Sequence, residues 1–227
     1  MRSLAVATAT AFALALAGGA AAASPDLSAV ALTAKQVGAS YVLLQRTDGH
    51  GLATRTLDLC GTANYPSEKL RASRLQVEYL RKYGRLGLSN EVVAYKPGGA
   101  AQAMREVIEH ATTCPHTPIS PGEEKLPPLT FTITRLRDSH LLKGALAVRV
   151  RVVGAVKGKK YDQTSYAVYQ RYGNVLSGVY SYVITGNGAR YGTAAEQEAF
   201  CLHAAEQSAA NLRRLGGPTV TVTGPSA

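Results

Sequence analysis

The chain has 227 residues, 46% of them apolar, and a formal net charge of +10 from 25 Lys and Arg against 15 Asp and Glu. This composition excludes a globally disordered, collagen-like or low-complexity chain and supplies enough apolar residues for a buried core. Aromatic use is skewed to 12 Tyr against 3 Phe and no Trp, so most rings carry a hydroxyl that can hydrogen-bond.

Residues 1–23 read as a secretory signal peptide. Arg2 precedes an apolar run from Leu4 to Leu16, and Gly18-Gly19 and Ala21-Ala22-Ala23 lead to Ser24-Pro25. That is a positive start, an apolar core and an A-x-A cleavage site. The core is too short for a membrane span, and no transmembrane segment follows. No lipobox cysteine stands near the site. The expected mature protein begins near Ser24 and is secreted without an anchor.

Ser28 to Val37 is expected to form a short strand and then a helical turn opened by Thr33. Tyr41 to Gln45 reads as a strand, and Asp48-Gly49 as a turn. Irregular chain is expected from Leu57 to Glu68, with one helical turn after Pro66. Leu75, Val77 and Tyr79 alternate with Gln76 and Glu78, the period of a half-buried strand. Leu88 to Tyr95 is the next strand. Beyond Pro97-Gly98-Gly99 the period changes: Ala100, Ala103, Met104, Val107, Ile108 and Ala111 make one apolar helical stripe.

The helix stops before Cys114-Pro115. Five of the ten prolines lie between 115 and 128, so this stretch is read as an exposed connector. Strands follow at Leu129 to Ile133, Leu146 to Val152, Ser165 to Tyr172 and Val175 to Ile184. The last two flank Gly173-Asn174, a two-residue hairpin signal. Thr193-Ala-Ala-Glu196 is a capping box that opens a final helix. Its expected buried face is Ala195, Ala199, Leu202, Ala205, Ala209 and Leu212, and Gly216-Gly217-Pro218 ends it. Short turns between consecutive strands require antiparallel pairing. The expected fold is therefore α+β: an antiparallel β-sheet with two main helices packed on one face, in a single domain over 24–218. Residues 219–227 are expected to be a flexible tail.

Three cysteines in an exported chain point to one disulfide and one thiol. Of three pairings, Cys60–Cys114 is favoured because both lie just outside regular elements. Cys201 falls on the apolar side of the last helix and is expected to be a buried free thiol.

The segments "DLC" at 58–60, "EVVAYKPGGAAQAMREVIEHATTCP" at 91–115 and "SYAVYQRYGNVLSGVYSYV" at 165–183 resemble the PknH-like extracellular sensor domains of actinobacteria. The resemblance covers most of the mature chain as a pattern, without a catalytic motif. It implies an antiparallel sheet, a cleft for an unknown ligand, and a disulfide that carries over to Cys60 and Cys114. Members often have a second bridge, for which Cys201 has no partner here.

No catalytic residues are assigned. G-x-S-x-G and S-x-x-K are absent, and Cys201 and His203 diverge on one helix. Cys114-Pro-His116 has no C-x-x-C or H-E-x-x-H beside it, so no metal and no cofactor are expected. Glu123-Glu124 reads as polar loop, and Gly98-Gly99 as a turn. The candidate binding surface is the tyrosine hairpin with its neighbouring strand: Arg149, Arg151, Tyr166, Tyr169 and Tyr180. Tyr beside Arg offers wide contact area with hydrogen-bonding groups. The basic charge favours an anionic envelope polymer or lipid as partner, and export argues against nucleic acid. The leading expectation is a non-enzymatic exported sensor-type or ligand-binding module. The alternatives are a secreted hydrolase acting on an envelope component and a wall-associated structural protein held by charge.

Overall fold

The computed structural model describes residues 25–45, 50–59, 65–82, 86–113, 130–156, 159–183 and 193–215. The signal segment 1–23, Cys60, Cys114, the connector 115–128 and the tail 219–227 lie outside the described residues. Among the described residues, no helix is long and apolar enough to cross a membrane.

Three α-helices and seven strands follow in chain order among the described residues: α1 (Ala34–Val37), β1 (Tyr41–Gln45), β2 (Arg71–Arg81), β3 (Leu86–Tyr95), α2 (Gly99–Thr113), β4 (Thr130–Leu136), β5 (Leu146–Val156), β6 (Lys159–Tyr172), β7 (Val175–Val183) and α3 (Ala194–Arg214). The strands form one sheet in the order β1-β2-β3-β7-β6-β5-β4. Every pairing is antiparallel. The α+β class read from the alternation is the fold observed. Gly173 adopts φ +55° at the β6–β7 turn, a left-handed backbone for which glycine has no steric penalty. Thr193 caps α3 as expected, accepting from Glu196 N at 3.2 Å.

The two long helices do not share a face. Odd residues of β3, Val93 and Tyr95, join Ala100, Ala103, Met104 and Val107 of α2 in one apolar cluster. Even residues, Leu88, Val92 and Ala94, join Cys201, Ala204, Ala205 and Leu212 of α3 in the other. The sheet is thus sandwiched between α2 and α3. The reason lies in the central strand: β3 is buried along its whole length, so both its faces need a cover. Each fully buried Leu or Val on either side contributes roughly 1.5–3 kcal/mol relative to exposure.

The expected strand after Ser28 is instead a 3-10 turn at Leu27–Ala29. Asp26 Oδ1 accepts from Ser28 N at 2.9 Å, and such local side-chain bonding competes with a ladder. The turn drops Leu27, Val30 and Leu32 into the α3-side core. Leu32 is held there by Asn90 of β3, whose Oδ1 accepts from Leu32 N at 2.8 Å.

The buried stripe of α3 also differs from expectation. Ala195 and Ala199 are exposed, while Gln197, Ser208 and Asn211 are buried with Cys201, Ala204 and Ala205. Polar pairs set this rotation. Ser208 and Ser177 hydroxyls lie 2.7 Å apart, Gln170 Nε2 donates to Ala205 O at 2.8 Å, and Asn211 Nδ2 donates to Val30 O at 3.0 Å. Small apolar residues do not distinguish one helix face from another as firmly as buried hydrogen bonds do.

Candidate functional site

Strands β5, β6 and β7 present a line of side chains on the α2 side of the sheet. There a groove of about 390 Å³ is lined by Asp58, Leu59, Phe131, Val150, Val152, Ser165, Tyr169, Tyr180 and Tyr182 together with Tyr166, Ala167 and Ser181. Two glycines shape it. A β-carbon on Gly178 would overlap the Tyr180 hydroxyl, and one on Gly87 would overlap the Tyr182 ring. Each glycine therefore lets a tyrosine on the neighbouring position or strand lie flat on the sheet. Tyr180 meets Tyr169 edge-to-face, with ring centroids 5.6 Å apart. Tyr180 and Tyr182 are half-buried, as are Phe131 and Val152.

Behind the aromatic rings sits a buried charge pair that the sequence reading missed. Glu91 and Arg74 are each 3% exposed and form an ion pair. Arg74 Nη2 donates to Gln76 Oε1 at 2.7 Å, and Gln76 Nε2 donates to Ser89 Oγ at 2.9 Å. Burial pushes the Glu91 carboxyl up to about 7, against the opposing pull of Arg74. Burial also raises the hydroxyls of Tyr169 and Tyr180 above the usual tyrosine range, helped by the nearby Glu91 charge. The sequence signal was present: a glutamate in the middle of the apolar strand 86–95 has to be buried if that strand is central.

The sheet separates the five residues expected to form one binding surface. Tyr169 and Tyr180 line the α2-side groove. Arg149, Arg151 and Tyr166 project toward the α3 side, since Arg149 pairs with Tyr166 across β5 and β6, and Tyr166 belongs to the α3-side core. Tyr166 is buried and donates through its hydroxyl to Ala194 O at 2.8 Å. Arg149 and Arg151 are exposed. The Arg151 guanidinium holds Asp162 in a two-pronged bond, Nε to Oδ1 at 2.9 Å and Nη2 to Oδ2 at 2.8 Å. Its hydrogen bond keeps the Asp162 carboxyl below the ordinary carboxylate range.

A wider depression of about 620 Å³ lies between α1 and α3, with Lys35, Gln36, His203, Asn211 and Arg214 in its wall. Its described lining holds no Tyr, Phe or Trp, and Gln36 Nε2 already donates to Asn211 Oδ1 at 2.8 Å. Cys201 is fully buried and forms no disulfide. Burial raises its thiol to about 12, which leaves almost no thiolate to react. His203 is exposed on the opposite side of α3, so Cys201 and His203 make no joint site.

No family model matches the sequence, and no curated protein matches it. Among solved structures, the chain is similar to the crystal structure of the extracellular domain of PknH from Mycobacterium tuberculosis, at 12% identity and a TM-score of 0.48, over 80% of this chain and 93% of that one. This is a distant likeness in fold, without a shared sequence family.

Proposed function

We propose that the chain is an exported, non-enzymatic ligand-binding module of the sensor type, whose ligand is an uncharged amphiphile seated in the tyrosine groove of the α2 side. Export rests on the signal pattern of residues 1–23. The sensor character rests on the sequence pattern at 91–115 and 165–183. The single observation that carries the ligand reading is the groove itself. Its volume of about 390 Å³ is in the range of small-molecule sites, roughly 300–1,000 Å³. Half-buried rings and aliphatic side chains make most of its wall, and a few hydroxyls give orientation. Asp58 is the one carboxylate among the described lining residues, with no His, Lys, Arg or Cys beside it. Hydrolytic chemistry needs a nucleophile next to a base, and a described lining without His, Lys or Cys supports the binding reading over the hydrolytic one.

Octyl glucoside below its micelle concentration is a suitable probe, since it joins an apolar chain to an uncharged hydroxylated ring. Saturation-transfer NMR should show contact with the mature protein. Val152→Trp, which fills the groove from a half-buried strand position, should abolish the transfer while the circular dichroism spectrum stays unchanged. Absence of transfer to the wild type, or transfer that persists in the folded variant, rules out this groove as the site.

A further inference from the structure

We propose that Asp138, His140, His203 and Glu206 form a zinc site that ties the turn between β4 and β5 to α3. His140 Nδ1 lies 3.1 Å from Asp138 Oδ1 and 3.3 Å from Glu206 Oε1. The three ligand atoms all fall within 4.8 Å of one another. One turn earlier on α3, His203 Nδ1 lies 3.9 Å from the other Glu206 oxygen, Oε2. Four ligand atoms held tetrahedrally at about 2.0–2.2 Å from zinc stand about 3.3–3.6 Å from each other. The two His140 spacings already match such an edge, whereas His203 stands outside the three-atom group and has to rotate inward to become the fourth ligand.

The chemistry of the donor set favours a metal over a proton. A ring nitrogen carries at most one proton, so His140 Nδ1 cannot donate fully to two carboxylates at once. A dication at the centre would accept a lone pair from the imidazole and charge from both carboxylates. Mixed imidazole and carboxylate ligands suit zinc, whereas magnesium and calcium take oxygen ligands.

The site is also partly held in place. Asp138 Oδ1 accepts from His140 N at 2.7 Å, and its side chain is only 11% exposed. Arg213 Nη2 donates to His140 O at 3.2 Å, which anchors the turn to α3 from the main-chain side. Leu142 N donates to Gln170 Oε1 at 3.0 Å, which fixes the far end of the same turn to β6. The two imidazoles are exposed, so an ion can reach them and both rings can rotate onto it. No motif announces this arrangement, because the ligands come as D-x-H at 138–140 and H-x-x-E at 203–206, brought together only by the packing of α3 on the sheet.

The test is zinc titration by calorimetry on untagged mature protein stripped with a chelator. One saturable site is expected. His140→Ala and Glu206→Gln should each weaken it at least about tenfold, as loss of a ligand requires, while His50→Ala, an exposed histidine outside the cluster, leaves it unchanged. Cobalt in place of zinc should give the strong visible absorption of a tetrahedral centre, and His140→Ala should remove it. The proposal is overturned if the wild type shows no saturable zinc uptake, if both ligand variants bind as the wild type does, or if magnesium binds equally well.

Discussion

Replacing Glu91 with Gln tests how the buried pair beside the groove is balanced. Glu91 and Arg74 are both sealed from solvent, and two forces act on the carboxylate. Desolvation disfavours its charge, and the Arg74 guanidinium favours it. The first is larger, so the carboxyl rises from 4.5 to about 7. An acid whose folded-state pKa is raised contributes its full stability below its unfolded pKa and loses it as the pH climbs to the folded value. The window is therefore about pH 4.5 to about pH 7. Each tenfold change in proton affinity is worth about 1.4 kcal/mol, so the loss is on the order of 3 kcal/mol. Gln has the shape of the protonated acid and can still accept from Arg74. The variant and the wild type should thus be nearly equal in stability at pH 4.5. At pH 7.5 the variant should be the more stable, by up to about 3 kcal/mol. Urea unfolding of both proteins at several pH values across this window measures the difference. The opposite sign at pH 7.5, with Glu91→Gln several kcal/mol less stable, would mean that the ion pair outweighs desolvation and would refute the reasoning, since removing one partner of a net-favourable buried pair costs about 3–5 kcal/mol.

Two further outcomes follow from side chains already placed. Cys201 should resist iodoacetamide in the native protein and react stoichiometrically once urea unfolds it, because the thiol is buried and raised to about 12; rapid labelling of the folded chain would show that α3 opens readily. Binding to an anionic polymer such as heparin should weaken with added salt, as exposed attractions do when the screening length falls to about 8 Å. Arg149→Ser should reduce that binding more than Arg151→Ser, because Arg151 is already matched by Asp162; equal effects, or none, would remove this edge of the sheet from consideration.

Much of this architecture is legible in the order of residues. Period-two alternation at 75–79 and 146–152 marks strands, Gly173-Asn174 marks the hairpin between β6 and β7, and Thr193 with Glu196 marks the start of α3. These signals are local: each depends on backbone geometry or on partners within a few residues, so the chain carries them whatever it packs against. The side of the sheet on which a helix lies is different. Alternation says that two faces exist, but not which helix covers which, and β3 hides even the alternation because both its faces are covered. Period two already sets Tyr166 and Tyr169 on opposite faces of their strand, but it does not say which face α3 covers and which holds the groove. Tyr166 and Tyr169 are three residues apart and point to opposite sides, one under α3 and one into the groove. Glu91 reads as a polar residue until β7 pairs beside it and Arg74 closes over it. The cluster of Asp138, His140 and Glu206 goes furthest in this direction, since a turn and a helix distant in sequence meet there. Local elements follow from short-range preferences of the chain, whereas the contents of a site depend on which distant segments share one small volume, and only tertiary packing decides that.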